Sequence, residues 1–233
     1  MRVAVFPTAA SAPPVAAYAG FQPVAIDVLR ATTTIITALA NGAAAVVPCL
    51  TPEAAREQAA ALPGARLGGE RQNRRLPGFD FGNSPQEYTP AAVAGRTICF
   101  TTSNGTRAIA AVAPLGPVLI AALANVGAVV RRLAAGAARV LILCAGSDGE
   151  LCLEDTVCAG AIADGLGPEA ECNDGAWLAR ELYRQHRHDL PGLLRTARHG
   201  RRLLGEGFGA DLALCARLDS HSLVPAYSGG AIR

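Results

Sequence analysis

The 233-residue chain reads as a layered α/β protein with a mostly parallel or mixed sheet. Three observations predict this. Short β-branched runs alternate with stretches whose apolar residues recur at helical spacing. Hydrophobic residues make up 51% of the chain and aromatics only 5%, which suits a sizeable core of closely packed helices and sheet better than a β-sandwich. The sequence also echoes itself. A shift of 74 residues lays Asp27 on Thr101, Thr32 on Thr106, Ile35 on Ile109, Gly42 on Gly116 and Thr51 on Asn125, so two related α/β units are expected.

The elements follow in order. Residues 3–6 form a strand before a proline-rich loop, and 24–26 form a second strand that runs into the polar corner "DVLRATTT". Ile35, Ile36, Leu39 and Ala40 keep helical spacing, so a helix runs to about Ala40 and Asn41-Gly42 ends it. Residues 45–49 are a buried strand. Thr51 then caps a helix with Pro52 at its first position, and Pro63-Gly64 closes it. A hydrophobic strand enters "FTTSNGT", residues 100–106, and a helix leaves it. A third strand, 140–144, feeds the corner "AGSDGELCLEDT" and another helix. Between the two copies, "LGGERQNRRLPGFDFGNSPQEYTP" reads as a long loop anchored by Phe79, Phe81 and Tyr88. An arginine-rich helix spans roughly 190–204, and "DSHSLVPAYSGGAIR" is a terminal strand or tail. The whole, 1–233, is expected to be one domain with sub-units of about 1–90 and 91–233.

Composition excludes several functions. The net charge of +2 is too small for a nucleic-acid surface. All 21 Lys/Arg positions are arginine, so no lysine exists for a P-loop, a Schiff base or a general base. The seven cysteines lie mostly in apolar runs with no CxxC pair, as reduced, buried thiols of a cytoplasmic protein do. No apolar run of membrane-spanning length is free of Pro, Gly or charge. The opening 20 residues superficially mimic a signal peptide, but Pro7, Pro13 and Pro14 interrupt the apolar run.

The familiar phosphate motifs are absent. Neither GxxxxGK[ST] nor a GxGxxG following a strand occurs, and no cysteine is followed by arginine six positions on. "IDVLRAT" has Leu29 where haloacid-dehalogenase-type enzymes carry a second aspartate. "RHG" at 198–200 lies in a helical stretch instead of after the first strand, where histidine phosphatases place it.

The polar corners remain. Thr101, Thr102, Asn104, Gly105 and Thr106 stand at a helix start, where free amides and the positive dipole end attract anions and Gly105 admits a close approach. The same residues also fit a plain capping motif. Arg30 and Arg107 follow the two corners and suit either an acidic ligand or a structural ion pair. Asp27 ends a strand, an expensive place for an idle charge. Glu70 follows a Gly-Gly, and Glu154 and Asp155 open a helix, where acids also complement the dipole. One or two such carboxylates with phosphate oxygens and water make a Mg²⁺ site. The four histidines lack zinc-ligand spacing.

Taken together and in this order, "VAIDVLRATTTIITALANGA", "LGGERQNRRLPGFDFGNSP", "FTTSNGTRAI", "ANV" at 124–126, "CAGSDGELCLEDTVCAG" and "RHGRRLLGEGFGADLALCARLDSHSLVP" resemble the 2-phosphosulfolactate phosphatase (ComB) family over nearly the whole chain. The resemblance implies an α/β fold of its own kind and Mg²⁺-dependent hydrolysis of (R)-2-phospho-3-sulfolactate to 3-sulfolactate and phosphate, a step of coenzyme M biosynthesis. The family's strings carry over to Asp27, Arg30, Thr32, Gly69, Glu70, Arg71, Asn83, Ser84, residues 101–106, Glu154 and Asp155.

On that resemblance Asp27, Arg30 and Glu70 are catalytic, and Asp27 holds Mg²⁺ with one or more of Glu70, Glu154 and Asp155. Thr32, Thr33 and the 101–106 corner donate hydrogen bonds to the phosphate, with Asn83 and Ser84 beside them. Arg30, Arg71 or Arg107 clamps the carboxylate and sulfonate. An alternative makes Asp27 the nucleophile of an aspartyl phosphate. Other readings are a phosphatase for another small phosphorylated acid and a non-catalytic anion-binding protein. The expected partner is a small phosphorylated sulfonate or carboxylate, with no nucleic acid and no membrane, and a homodimer is compatible with the composition. "FTTSNGT" and "IDVLRAT" are then halves of one site, the first holding phosphate and the second metal. That reading requires Asp27 and Thr102 to lie on the same side of the molecule.

Overall fold

The computed structural model of the protein describes residues 1–12 and 14–233; Pro13, one of the prolines that break the opening apolar run, lies outside the described residues. Its strands are β1 (Arg2–Phe6), β2 (Gln22–Ile26), β3 (Ala45–Pro48), β4 (Arg66–Arg71), β5 (Arg74–Arg75), β6 (Thr97–Thr101), β7 (Val118–Ala121), β8 (Arg139–Cys144), β9 (Glu171–Cys172), β10 (Ala226–Ser228) and β11 (Ala231–Ile232). The α-helices are α1 (Ala31–Ala40), α2 (Pro52–Ala61), α3 (Pro90–Val93), α4 (Gly105–Val112), α5 (Val126–Gly136), α6 (Leu153–Gly165), α7 (Asp174–His186), α8 (Leu190–Thr196), α9 (Arg198–Gly205) and α10 (Gly209–Cys215).

All strands join one sheet in the order β5-β4-β6-β3-β11-β10-β7-β2-β8-β1-β9. It has two parallel wings. One is β4-β6-β3, with Val46 opposite Ile98. The other is β7-β2-β8-β1-β9, with Val24 between Leu119 and Ile142. The hairpin β10–β11 is the seam: β11 pairs antiparallel with β3 and β10 antiparallel with β7. Three antiparallel pairings in succession leave the wings running in opposite senses. The residues expected to form a terminal strand or tail therefore sit in the middle of the sheet.

The 74-residue echo has a structural counterpart. β2–α1–β3–α2 and β6–α4–β7–α5 repeat the same element order, and each repeat crosses over to the other wing, since β2 pairs with β7 and β3 with β6. Thr51 caps α2 by accepting the Ala54 amide, with Pro52 next to it as expected. At the matching place Asn125 Oδ1 accepts the Ala122 amide, while Nδ2 donates to the carbonyls of Ile120 and Leu223.

Strand alternation sorts the core into layers. Val3, Val5, Val24, Ile26, Val140 and Ile142 pack on the α5, α6 and α7 side. Ala25, Ile120, Leu141 and Leu143 face the other way, against Ile35, Ile36, Ile109 and Val112 of α1 and α4. The same layer takes Val46, Ile98 and Phe100 from the second wing, so α1 and α4 serve both wings. A smaller cluster, Cys49, Ala55, Phe79 and Cys99, lies under α2.

Two further expectations change, and the anchors of the long segment hold. The long segment after Pro63-Gly64 begins as the edge strand β4 and turns back as β5 through Gln72 (φ 53°) and Asn73 (φ 64°), a two-residue turn of the mirror-image type that suits tight hairpins. Glycine pairs carry no alternation that would reveal such a strand. The arginine-rich helix is two helices, α8 and α9, broken at Ala197. Phe79 and Tyr88 are buried anchors, and the Tyr88 hydroxyl donates to the Gly82 carbonyl.

Candidate active site

Three polar corners meet although the wings oppose each other, because α1 and α4 pack together at their first turns. Gly105 opens α4 directly against the first corner: a Cβ there would lie 2.6 Å from Asp27 Oδ2, and about as close to the Ala31 side chain. The resulting small polar cleft is lined by Asp27 and Leu29 of the first corner, Ser103 and Asn104 of the second, and Ser147 and Asp148 of the third. Glu70, Gln72 and Asn73 from the β4–β5 hairpin, Asn83, and His199 and Arg202 of α9 complete its wall.

Asp27 is buried, and its Oδ1 accepts the Ala31 amide at 3.2 Å. Burial, with the neighbouring charges of Glu70 and Glu154, pushes its carboxyl up to about 7. Glu154 is buried at the start of α6, and its Oε2 has no hydrogen-bond partner among the described residues. Burial raises its carboxyl as well. A buried carboxylate oxygen without a partner is costly.

Glu70 and Asp155 are braces. Glu70 accepts the Ser103 amide on Oε1 and the Asn73 amide on Oε2, each at 2.9 Å, and so ties the second corner to the hairpin. Asp155 accepts the Val28 amide at 2.8 Å and the Gly146 amide at 3.1 Å, tying the first corner to the third. Burial and then the charges of Asp27 and Glu154 hold its carboxyl well above the usual range. Among the described residues no group of three or more His, Cys, Asp and Glu side chains is gathered as a metal cage.

The threonines hold the corners rather than facing the cleft. Thr32 Oγ1 donates to the Asp27 carbonyl and accepts the Asp27 amide, and Thr33 Oγ1 donates to the Val28 carbonyl. Thr106 Oγ1 donates to the Thr102 carbonyl, while Thr102 Oγ1 accepts the Thr106 amide. Thr101 Oγ1 accepts from Arg71. These hydroxyls are engaged and buried, whereas Ser103 and Asn104 line the cleft, and an α-helix leaves its first amides, here those of α4, without internal partners. The Asn104 side chain makes no cap bond and lines the cleft. Asn83 lines it too, with its Oδ1 buried and unpartnered.

The expected arginine clamps also change. Arg30 is 2% exposed; Nη1 pairs with Asp211 at 2.6 Å, Nη2 donates to the Asn73 carbonyl, and the guanidinium stacks 4.2 Å above the Phe208 ring centroid. Asp211 also accepts from Ser84 Oγ and Gln86 Nε2, which makes Ser84 part of this buried knot. Arg71 donates to the carbonyls of Glu70 and Leu50 outside the cleft lining, and Arg107 points to solvent.

His199, Arg202, Asn73, Ser147, Asp148 and Asp211 were not singled out as site residues. An acid at position 211 inside the apolar run "FGADLALC" was the one signal available in the sequence.

The family model described as 2-phosphosulpholactate phosphatase matches residues 9–230. A Symbiobacterium thermophilum protein named "Probable 2-phosphosulfolactate phosphatase" is 48% identical over 94% of this chain and 97% of its own length. Proteins of the same name from Synechococcus sp. (strain JA-3-3Ab) and Gloeobacter violaceus are 46% and 45% identical, over 87% and 90% of this chain and 86% and 89% of theirs. With a match of this extent, over a sheet whose polar corners meet at Asp27, the chain belongs to the 2-phosphosulpholactate phosphatase family.

Proposed function

We propose that the protein hydrolyses (R)-2-phospho-3-sulfolactate to 3-sulfolactate and phosphate in the Asp27 cleft, with Mg²⁺ as cofactor. The observation that carries this is the contact between Gly105 and Asp27, which sets an amide-rich helix start beside an acid. The printed names of the relatives supply the substrate.

The donors fit a hard cation. Asp27 and Glu154 present only oxygen, they repel one another, and Glu154 Oε2 lacks any partner. These two would hold the ion, with Glu70 at its edge. When bound, magnesium would offset the carboxylate charge and polarise a phosphoryl oxygen. Asn104 and the first amides of α4 hydrogen-bond the phosphoryl oxygens, and these donors count most as charge develops there. Glu70 keeps the Ser103 amide in place, and Asp155 keeps the first and third corners in register. Asp27 is also close enough to the α4 start to serve as nucleophile. Among the described residues no helix is long and apolar enough to cross a membrane, and the seven free thiols suit a reducing cytoplasm.

Phosphate release from the purified protein with phosphosulfolactate, with and without MgCl₂, tests the reading. Turnover that requires the metal and is lost in Asp27→Asn is expected; no release from this substrate would refute it. Acid-quenched incubation with ³²P-labelled substrate distinguishes a phosphoenzyme from direct attack by water.

A further inference from the structure

We infer that α9 carries the subsite for the non-phosphate acidic end of the substrate, with Arg202 as its cation and His199 as a neighbouring hydrogen-bonding group. This rests on the phosphatase reading above and adds to it what selects the substrate. Phosphosulfolactate brings a carboxylate and a sulfonate besides its phosphate, and both need positive partners near the cleft. Arg30, buried against Asp211 and Phe208, cannot turn outward without breaking the knot. Arg71 is spent on two carbonyls and Thr101, and Arg107 is exposed and does not line the cleft. Arg202 is the only arginine among the described residues that line the cleft.

Arg202 is also held for the purpose. Its Nε donates to Glu206 Oε1 at 3.0 Å, and Glu206 Oε2 accepts from Asn73 Nδ2 at 2.9 Å. The backbone amide of Asn73 in turn holds Glu70. One turn residue thus links the phosphate half of the cleft to the α9 wall. With Nε fixed, the two Nη groups of Arg202 offer a planar fork, the geometry that binds carboxylate or sulfonate in two-point fashion. His199 lies three residues earlier on the same helix, on the same face, and half-buried in the same wall.

The experiment compares kcat/KM for phosphosulfolactate with kcat/KM for p-nitrophenyl phosphate, which has no second acid, in the wild type, Arg202→Gln and Arg202→Lys. Loss of a charge-assisted contact should lower the ratio in Arg202→Gln by about 10- to 100-fold, chiefly through KM, with partial recovery in Arg202→Lys. Arg195→Gln, which removes an equal charge from the exposed side of α8, should leave the ratio at the wild-type value. A proportional loss on both substrates in Arg202→Gln, or an equal effect of Arg195→Gln, would overturn the subsite. A wild type that cleaves p-nitrophenyl phosphate but not phosphosulfolactate would refute the proposed substrate instead. Inhibition by phosphonoacetate would then decide the subsite: competition lost in Arg202→Gln supports it, and competition retained overturns it.

Discussion

Arg30 and Asp211, distant in sequence, meet in an ion pair of 2.6 Å with each side chain 1% exposed. Removing one partner of such a pair strands the other. Asp211→Ala should destabilise the protein by about 3–5 kcal/mol, read from urea unfolding midpoints. Asp211→Asn, which can still accept from Ser84 and Gln86, should cost less. Equal losses in the two variants would argue against the charge as the cause.

Gly105 leaves no room for a side chain beside Asp27 and Ala31. Gly105→Ala should cost about 1–3 kcal/mol through overpacking and should reduce turnover more than its stability loss explains, because the displaced group is Asp27. A variant with unchanged unfolding and unchanged kcat would mean that the corners are not in contact.

Stability without metal should fall as pH rises. Asp27, raised to about 7, binds its proton more tightly in the folded chain than in the unfolded one, and burial shifts Glu154 and Asp155 in the same direction. The folded state therefore holds more protons between the ordinary carboxylate range and about pH 7, and unfolding free energy declines across that window. Thermal melts from pH 5 to 8 in EDTA should show a falling Tm. MgCl₂ should raise Tm more at pH 8 than at pH 5.

Glu154→Gln removes a buried charge whose Oε2 has no partner. At pH 8 in EDTA the variant should melt higher than the wild type, while its magnesium-dependent turnover drops about 100-fold or more. A lower Tm together with full activity would make Glu154 a structural residue.

Much of this arrangement was legible in the chain. β2, β3, α1 and α2 announce themselves through β-branched runs, helical spacing and the Thr51-Pro52 start, because these signals are local. The corners were legible as clusters of hydroxyls at helix starts, and the 74-residue echo marked the two that meet. Which way those hydroxyls face was not. Thr32, Thr33, Thr102 and Thr106 have backbone partners within five residues, so a capping role and a ligand role leave the same sequence trace. Nothing local decides between the ligand and ion-pair roles open to Arg30, because its partner, Asp211, lies on α10, in the last quarter of the chain. Arg202 and His199 were missed because α9 reaches the cleft only through packing that no local pattern encodes. The β4 edge strand was hidden by Gly68-Gly69; a side chain on Gly69 would strike the Thr101 carbonyl, so its glycine serves close strand approach.

The seam at β10–β11 has a consequence for how the chain must assemble. Until residues 226–232 are in place, β3 and β7 each present a bare apolar edge, Ala45–Pro48 and Val118–Ala121, while both halves of the site already sit on the strands and helices beside them. A chain interrupted before Ala226 would carry the chemistry of its cleft but two sticky borders, and its expected fate is edge-to-edge association with other copies.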